Sequence, residues 1–444
     1  MGRRSRRRKI PTEPVEVSIS SLSHDGRGVA EIEGKKLFVH GALPGERVTA
    51  KITASMRRFD EAEVLEVHDA SSHRVIPKCP HFGVCGGCAL QHMHPDAQIL
   101  SKQETLIQNL QRIGEVQPDE ILEPLKGPLW NYRRKARLSV RYVFKKEKLL
   151  VGFRERQGRF VAEMSECHVL DKRIAELLPE LSALIESLTV RNHIAQIEVS
   201  CGDQDCALIF RNLEPLDEED KQKLVQFARL YNVQVLLQSG GPDTVQPLEP
   251  ATVKLEFDLP EFDLSFEFGP SDFIQVNAEL NQLMVSHALK LMQANKSDTI
   301  LDLFCGLGNF TLPLARVANE VVGVEGDKAL VDKAQHNATR NQIDNVRFHV
   351  ADLTEDQTGT AWLRHSYDKV LIDPPRSGAL DMLPHIAATN ATRLVYVSCH
   401  PASLARDAGI LVRKHGFRLV SAGVMDMFPH TGHVESIALF ERKL

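Results

Sequence analysis

No apolar run in the 444-residue sequence approaches the roughly 18 residues that a membrane span requires. The basic start, Met1 to Lys9, is followed by Ile10-Pro11-Thr12 rather than an apolar core, so no secretory signal is expected. Internal repeats are absent, which sets repeat architectures aside. No low-complexity segment exists beyond the basic N-terminal tail. With no secretory context, the eight cysteines argue against a disulfide framework and need another explanation. A cytoplasmic location is expected, without a membrane partner or an obligatory protein partner.

What remains is ordinary globular material, 43% hydrophobic and 25% charged, long enough for about two to four domains. The net charge of −5 conceals an asymmetry: Lys126 to Phe160 holds 12 Lys or Arg against 2 acidic residues, and six more basic residues crowd the first nine. Within the internal stretch, Trp130, Tyr132, Tyr142, Phe144 and Phe153 alternate with Arg133, Arg134, Lys135, Arg137 and Arg141. That mixture of cations and stacking surfaces suits a polyanion, RNA above all.

Three segments follow the tail (1–10). In 11–70, Val15, Val17 and Ile19, then Val48, Ala50 and Ile52, then Ala62 and Val64 alternate with polar residues, and Asp25-Gly26-Arg27-Gly28 and Leu43-Pro44-Gly45-Glu46 supply turns. The pattern predicts a small OB-like β-barrel, and it resembles a TRAM RNA-binding domain. In 71–277 a cysteine cluster precedes a helix with Ile99, Leu106, Ile107, Leu110 and Ile113 on one side. Strands at Ala195–Ser200, Ala207–Phe210 and Val233–Leu237 and a helix at Glu218–Leu230 then make an α+β unit. In 278–444 a helix at Ala278–Gln293, with Leu280, Leu283, Met284, Ala288, Leu291 and Met292 as core, leads into strands at Ile300–Phe304, Glu320–Glu325, Val346–Val350, Lys369–Ile372 and Leu394–Ser398. Apolar strands alternating with helices predict a parallel, Rossmann-like sheet covered on both faces. The fold class is therefore multidomain α/β.

Leu301-Asp302-Leu303-Phe304-Cys305-Gly306-Leu307-Gly308-Asn309-Phe310 reads as a strand, a glycine turn and a helix start, where such sheets bind nucleotides. Glu325 ends the next strand, 19 residues after Gly306, where a carboxylate can accept both ribose hydroxyls; Asp352 ends the third and can meet an adenine amino group. A dinucleotide would share the ribose-binding acid, but Thr311 stands where the third glycine of Gly-x-Gly-x-x-Gly belongs. S-adenosylmethionine is the favoured ligand. Asp373-Pro374-Pro375-Arg376 follows the fourth strand and Ser398-Cys399-His400-Pro401 the fifth, at one sheet edge. Asp-Pro-Pro alone would suit amino-group methylation. A cysteine beside the cofactor crevice suits a harder reaction, methylation of uracil carbon 5, which needs a thiolate added at carbon 6 to enrich carbon 5 in electrons. A base must then remove the carbon-5 proton, and Glu435, in Gly432-His433-Val434-Glu435, is the candidate. Cys305, inside the turn, reads as packing.

These motifs resemble the RNA uracil-5 methyltransferase family, and the resemblance runs along nearly the whole chain to members acting on 23S rRNA, with TRAM and iron–sulfur regions. Phe273-Ile274-Gln275-Val276-Asn277 is similar to the family's segment before the sheet. The resemblance implies cofactor contacts from Gln275, Phe304, Asn309, Glu325, Asp352 and Asp373, Cys399 as nucleophile and Glu435 as proton acceptor. His400 departs from the Asn that the family commonly carries there. Cys79-x5-Cys85-x2-Cys88 with distant Cys167 is a three-plus-one arrangement. It suits an iron–sulfur cluster better than zinc, which favours two short-spaced pairs; the resemblance implies a 4Fe-4S cluster on these four. Cys201 and Cys206 stay unassigned. The alternatives are a tRNA uracil-5 or an RNA cytosine-5 methyltransferase, or a non-catalytic, redox-sensing RNA-binding protein.

Overall fold

The computed structural model describes residues 13–249 and 254–442; the basic tail expected over 1–10 lies outside them. The first six strands, Val15–Ser18, Ser21–Leu22, Gly28–Ile32, Lys35–His40, Arg47–Ser55 and Phe59–Asp69, form one sheet in which the first pairs with the fifth and the fourth runs parallel to the sixth. Alternation sends Val17, Leu37, Val39, Val48, Ala50, Ile52 and Ala62 into its core, as period-two patterning requires.

A second six-stranded sheet lies in the middle of the chain, ordered Val245–Pro247, Gln234–Gln238, Cys206–Asn212, Ile194–Cys201, Lys135–Val143, Lys148–Gly152. Helices Leu178–Glu186 and Glu218–Tyr231 contribute Leu181, Ile185, Leu224 and Phe227 to its core. Cys201 and Cys206, left unassigned by the sequence, face each other across its hairpin and are joined as a disulfide. A bridge therefore exists where the sequence argued against a disulfide framework.

The third sheet has eight strands in the order Val346–Val350, Glu320–Glu325, Thr299–Leu303, Lys369–Ile372, Arg393–Ser398, Glu435–Glu441, Arg418–Met425, Glu120–Ile121. The first five are parallel, and Glu435–Glu441 runs against its neighbours. Successive residues of each strand enter opposite cores: Ile300, Val321, Leu371 and Val395 on one face, Leu301, Val322, Val370 and Leu394 on the other. Strand order reverses between Thr299–Leu303 and Lys369–Ile372, and the crevice beyond their carboxyl ends is where open α/β sheets take ligands.

Two pieces that the sequence groups with the central unit pack into this sheet's cores. Helix Pro95–Asn109 buries Ile99 and Leu106 against Leu404, Ala405 and Ala408 of the helix Pro401–His415, and Glu120–Ile121 adds the edge strand. The hairpin Leu255–Leu259 and Leu264–Phe268 covers the opposite face with helix Ala278–Met292. A cut at 277/278 therefore divides a single packed body. Two residues expected in helix cores, Leu283 and Ile113, are instead 45% and 47% exposed. Leu283 sits at the margin of its apolar stripe, where periodicity cannot fix the last position, and Ile113 lies in the π-helical turn Leu110–Gly114, whose wider period rotates it off the expected face. Among the described residues no helix is long and apolar enough to cross a membrane.

Candidate active site

Beyond the strand Thr299–Leu303 the chain turns sharply: Phe304, Gly306 and Gly308 have φ of 63°, 55° and 88°. Phe304 thus leaves the strand that the sequence extended to it. Glycine meets the left-handed conformation at no steric cost. The turn opens a cleft of about 590 Å³ lined by Gln275, Phe304, Asn309, Glu325, Asp373, Cys399 and Glu435, together with Phe273, Arg376, Phe428 and His433.

Glu325 is held in place by backbone amides. Its Oε2 accepts from Gly306 N at 3.1 Å, and its Oε1 accepts from Gly326 N at 2.7 Å and Asp327 N at 3.1 Å, so the carboxylate bridges two strand ends. Asn309 exchanges two amide hydrogen bonds with Asn281, at 2.9 and 3.0 Å, which fixes its orientation. Thr311, in place of a third glycine, donates to buried Asp302 at 2.5 Å; burial pushes Asp302 up to about 8. Asp352 is not brought into the lining. It lies two residues past the strand Val346–Val350, and its carboxylate accepts from Thr354 N and Oγ1 at 2.9 and 2.7 Å.

Three ionisable groups of the cleft come from three strand ends. Asp373 follows Lys369–Ile372, Cys399 follows Arg393–Ser398, and Glu435 opens the reversed strand Glu435–Glu441. Burial pushes Asp373 up to about 7 and holds Glu435 well above the usual carboxylate range, with Asp373 adding to it and Arg376 opposing. Burial, Glu435 and Asp373 all raise the Cys399 thiol, while the Arg376 guanidinium beside it pulls the other way. Three acidic groups share one low-dielectric space with a single guanidinium, the setting in which protonation states are tuned for chemistry. His400 caps the helix Pro401–His415, its Nδ1 accepting from Ser403 N at 3.3 Å. Asn is a preferred residue for that task, so the His-for-Asn departure keeps the cap that follows Cys399.

The segment Asp426–Val434, which delivers Glu435, is held from outside the C-terminal region. Lys102 Nζ donates to Asp426 Oδ1 at 2.7 Å and to the Phe428 carbonyl at 2.9 Å. Tyr132 donates to the Pro429 carbonyl at 3.0 Å, and Ala89 N and Leu90 N both donate to the His430 carbonyl, at 2.8 and 2.9 Å. His430, at φ 65°, stacks on Trp130 with 4.0 Å between ring centres, and its own N–H reaches Gln98 Oε1 at 2.8 Å. The left-handed backbone of a non-glycine residue is over-determined here by its surroundings.

Cys79, Cys85, Cys88 and Cys167 line one small recess with Phe82, Phe153 and Met164, and Gly87 N donates to Cys85 Sγ at 3.4 Å. Asp171 lies within 4.8 Å of Cys201 and Cys206, but those sulfurs are bonded to each other. The basic aromatic stretch divides in two. Arg134, expected at an RNA surface, is buried: its Nε donates to the Gln275 carbonyl at 2.9 Å, its Nη1 pairs with Asp203 at 3.5 Å, and its guanidinium lies over Phe257. Lys135 Nζ is similarly occupied by the carbonyls of Pro270 and Asp272. Arg137, Arg141, Phe144 and Lys145 are exposed on the hairpin Lys135–Gly152. Arg376 and His433 carry no role that motif or spacing suggests. The first stands in the Asp-Pro-Pro-Arg turn; the second lines the cleft with Glu435, two residues on.

A parallel sheet with one reversed strand near its edge, and a glycine-turn cleft at its switch point, defines a class I methyltransferase. The family model for tRNA (Uracil-5-)-methyltransferase matches residues 96–443, and that for the TRAM domain matches residues 11–65. The 23S rRNA (uracil(1939)-C(5))-methyltransferase RlmD of Xanthomonas campestris pv. campestris (strain 8004) is 56% identical over 440 residues, covering 98% of this chain and 99% of that protein. Its namesake in Stenotrophomonas maltophilia (strain R551-3) is 55% identical with the same coverage. The Pyrococcus abyssi tRNA (uracil-54, C5)-methyltransferase, solved with S-adenosyl-L-homocysteine, shares the fold: its TM-score is 0.73 at 22% identity, over 96% of this chain and 99% of that one. The chain belongs to the tRNA (Uracil-5-)-methyltransferase family.

Proposed function

We propose that the protein methylates carbon 5 of one uridine in 23S rRNA, in the cytoplasm, through a covalent adduct of Cys399. One observation carries this reading: Cys399 and Glu435 share a cleft with Gln275, Phe304, Asn309, Glu325 and Asp373. The rRNA target rests on relatives above 50% identity along the full chain. When bound, S-adenosylmethionine supplies the methyl group. Glu325 would take its ribose hydroxyls, and Gln275, Phe304, Asn309 and Asp373 the rest; Asp352, outside the cleft lining, would offer Oδ2 while its Oδ1 holds Thr354. Cys399 loses its thiol proton to solvent, with Arg376 favouring the thiolate, and its sulfur bonds to carbon 6 of the flipped-out base. After methylation, Glu435 removes the carbon-5 proton; the ring double bond reforms and sulfur leaves. The test is to map 5-methyluridine in 23S rRNA from cells with and without the protein. Loss of the mark from tRNA, or of 5-methylcytidine from either RNA, would replace this reading by one of the two related activities.

A 4Fe-4S cluster on Cys79, Cys85, Cys88 and Cys167 fits the recess. Burial pushes Cys85 and Cys88 up to about 11 and about 12, so four thiolates need a cationic centre to neutralise them. The Gly87 N–H adds a hydrogen bond to one sulfur. Protein purified without oxygen should be brown with about four irons per chain, and Cys88→Ser should lose both colour and iron. Stoichiometric zinc without iron would overturn the assignment.

RNA would meet the exposed hairpin. Reversing Arg137, Arg141 and Lys145 to Glu should weaken RNA binding and flatten its salt dependence by ~0.7–0.9 in slope for each phosphate no longer neutralised, leaving S-adenosylmethionine binding intact. Affinity unchanged at low salt would mean that this face looks away from RNA. Arg134 does not belong in that set, because its charge is engaged inside the fold.

A further inference from the structure

Resting on the covalent reading above, we infer that His433 is a specificity-determining residue that reads the carbon-4 oxygen of the target uracil, donating an Nε2–H bond that tightens as that oxygen becomes an enolate. The geometry begins with Arg376, whose Nη2 lies 3.1 Å from His433 Nδ1. A guanidinium has only donors, so Nδ1 must accept, and the ring proton of a neutral imidazole then sits on Nε2. Arg376 thereby converts a two-way group into a donor on the side away from itself. His433 lines the cleft with Cys399 and Glu435, is exposed there, and packs on Phe428 with ring centres 5.2 Å apart. Burial and the cations Arg376, Arg133 and Lys102 all lower its pKa, which favours the neutral ring.

The chemistry calls for such a donor. When Cys399 sulfur bonds to carbon 6, the C5=C6 electron pair moves to join carbon 5 to carbon 4, and the carbonyl pair moves onto the carbon-4 oxygen. Methyl transfer to carbon 5 returns that charge to a carbonyl. His433 and Glu435, two residues apart, line the same cleft, so they would lie along one side of the base, serving carbon 5 and its neighbour carbon 4. A fixed donor at a position that gains negative charge stabilises the transition state more than the ground state. It also disfavours cytosine, whose carbon-4 amino group would meet a second donor.

The test uses the full-length protein, S-adenosylmethionine and an unmodified 23S rRNA transcript, and measures single-turnover methyl transfer alongside RNA and S-adenosylhomocysteine affinities. Loss of one such donor typically slows catalysis ~10²–10³-fold, and His433→Phe should do so with both affinities within ~2-fold of wild type. Two amides separate the roles of the ring nitrogens. Gln reaches the Nε2 position and should recover at least ~10-fold over Phe. Asn reaches only the Nδ1 position, where it can hold Arg376, and should stay as slow as Phe. Recovery by Asn, a rate for Phe near wild type, equal loss in Gln and Phe, or a parallel loss of affinity would each overturn the inference. Failure of the wild type to methylate uridine in this RNA would instead sink the proposed function.

Discussion

With cofactor and 23S rRNA, Glu435→Gln should accumulate a protein–RNA band on a denaturing gel that Cys399→Ala never forms. The order of steps dictates this. Without the sulfur nothing adds to carbon 6, so Cys399→Ala should give neither adduct nor product. Without the carboxylate, addition and methylation proceed, but the carbon-5 proton stays and sulfur cannot leave. Loss of a general base typically costs ~10²–10⁴ in rate, which is enough for the methylated adduct to outlive its formation. The burial of Glu435 beside Asp373 suits a group that must hold a proton away from water. Turnover of Glu435→Gln at the wild-type rate without such a band would give the base role to another group and leave that of Cys399 standing.

The largest stability effect is expected at Lys102, far from Cys399 in sequence. Lys102 and Asp426 are 3% and 4% exposed and 2.7 Å apart. Burial lowers the lysine, and Asp426 opposes that shift. Lys102→Met keeps the aliphatic stem but leaves a carboxylate buried without its cation, a change that costs about 3–5 kcal/mol. Denaturant unfolding should show that loss as a lower midpoint. The double variant Lys102→Met/Asp426→Leu, which removes both charges, should recover much of it. Equal destabilisation in the two variants would mean that packing, and not charge pairing, holds this junction.

Local pattern and distant packing explain what could be read in advance. Strands Glu320–Glu325 and Lys369–Ile372 coincide with their apolar runs, because a strand buried on both faces writes itself as continuous hydrophobicity; the edge strand Val346–Val350 shows itself instead by the alternation of Val346, Phe348 and Val350 with Arg347 and His349. Helix Ala278–Met292 ends one residue before the expected Gln293, which adopts φ 49° as its cap. The Gly306 to Glu325 spacing was legible because it spans one strand–helix–strand unit. Composition could not say which arginines of the basic stretch face water, since the Arg134 partner Asp203 lies 69 residues on. The Arg376–His433 pairing joins positions 57 apart across two strand ends and leaves no trace in spacing. The attachment of helix Pro95–Asn109 to the third sheet was hidden for the same reason: an amphipathic stripe declares that it is buried, not against what.

The anchoring of Asp426–Val434 bears on how this protein can be dissected or rebuilt. The groups that hold that loop come from between Ala89 and Tyr132, far ahead of the glycine turn, and two of them are backbone amides close after Cys88. A shortened gene beginning at the helix Ala278–Met292 would encode Cys399, Glu435 and the entire glycine turn. It would also remove the hydrogen bonds and the Trp130 stack that hold the loop leading to Glu435. For engineering, the smallest autonomous catalyst therefore starts before the cysteine cluster, and a swap of RNA-recognition modules has to splice upstream of it.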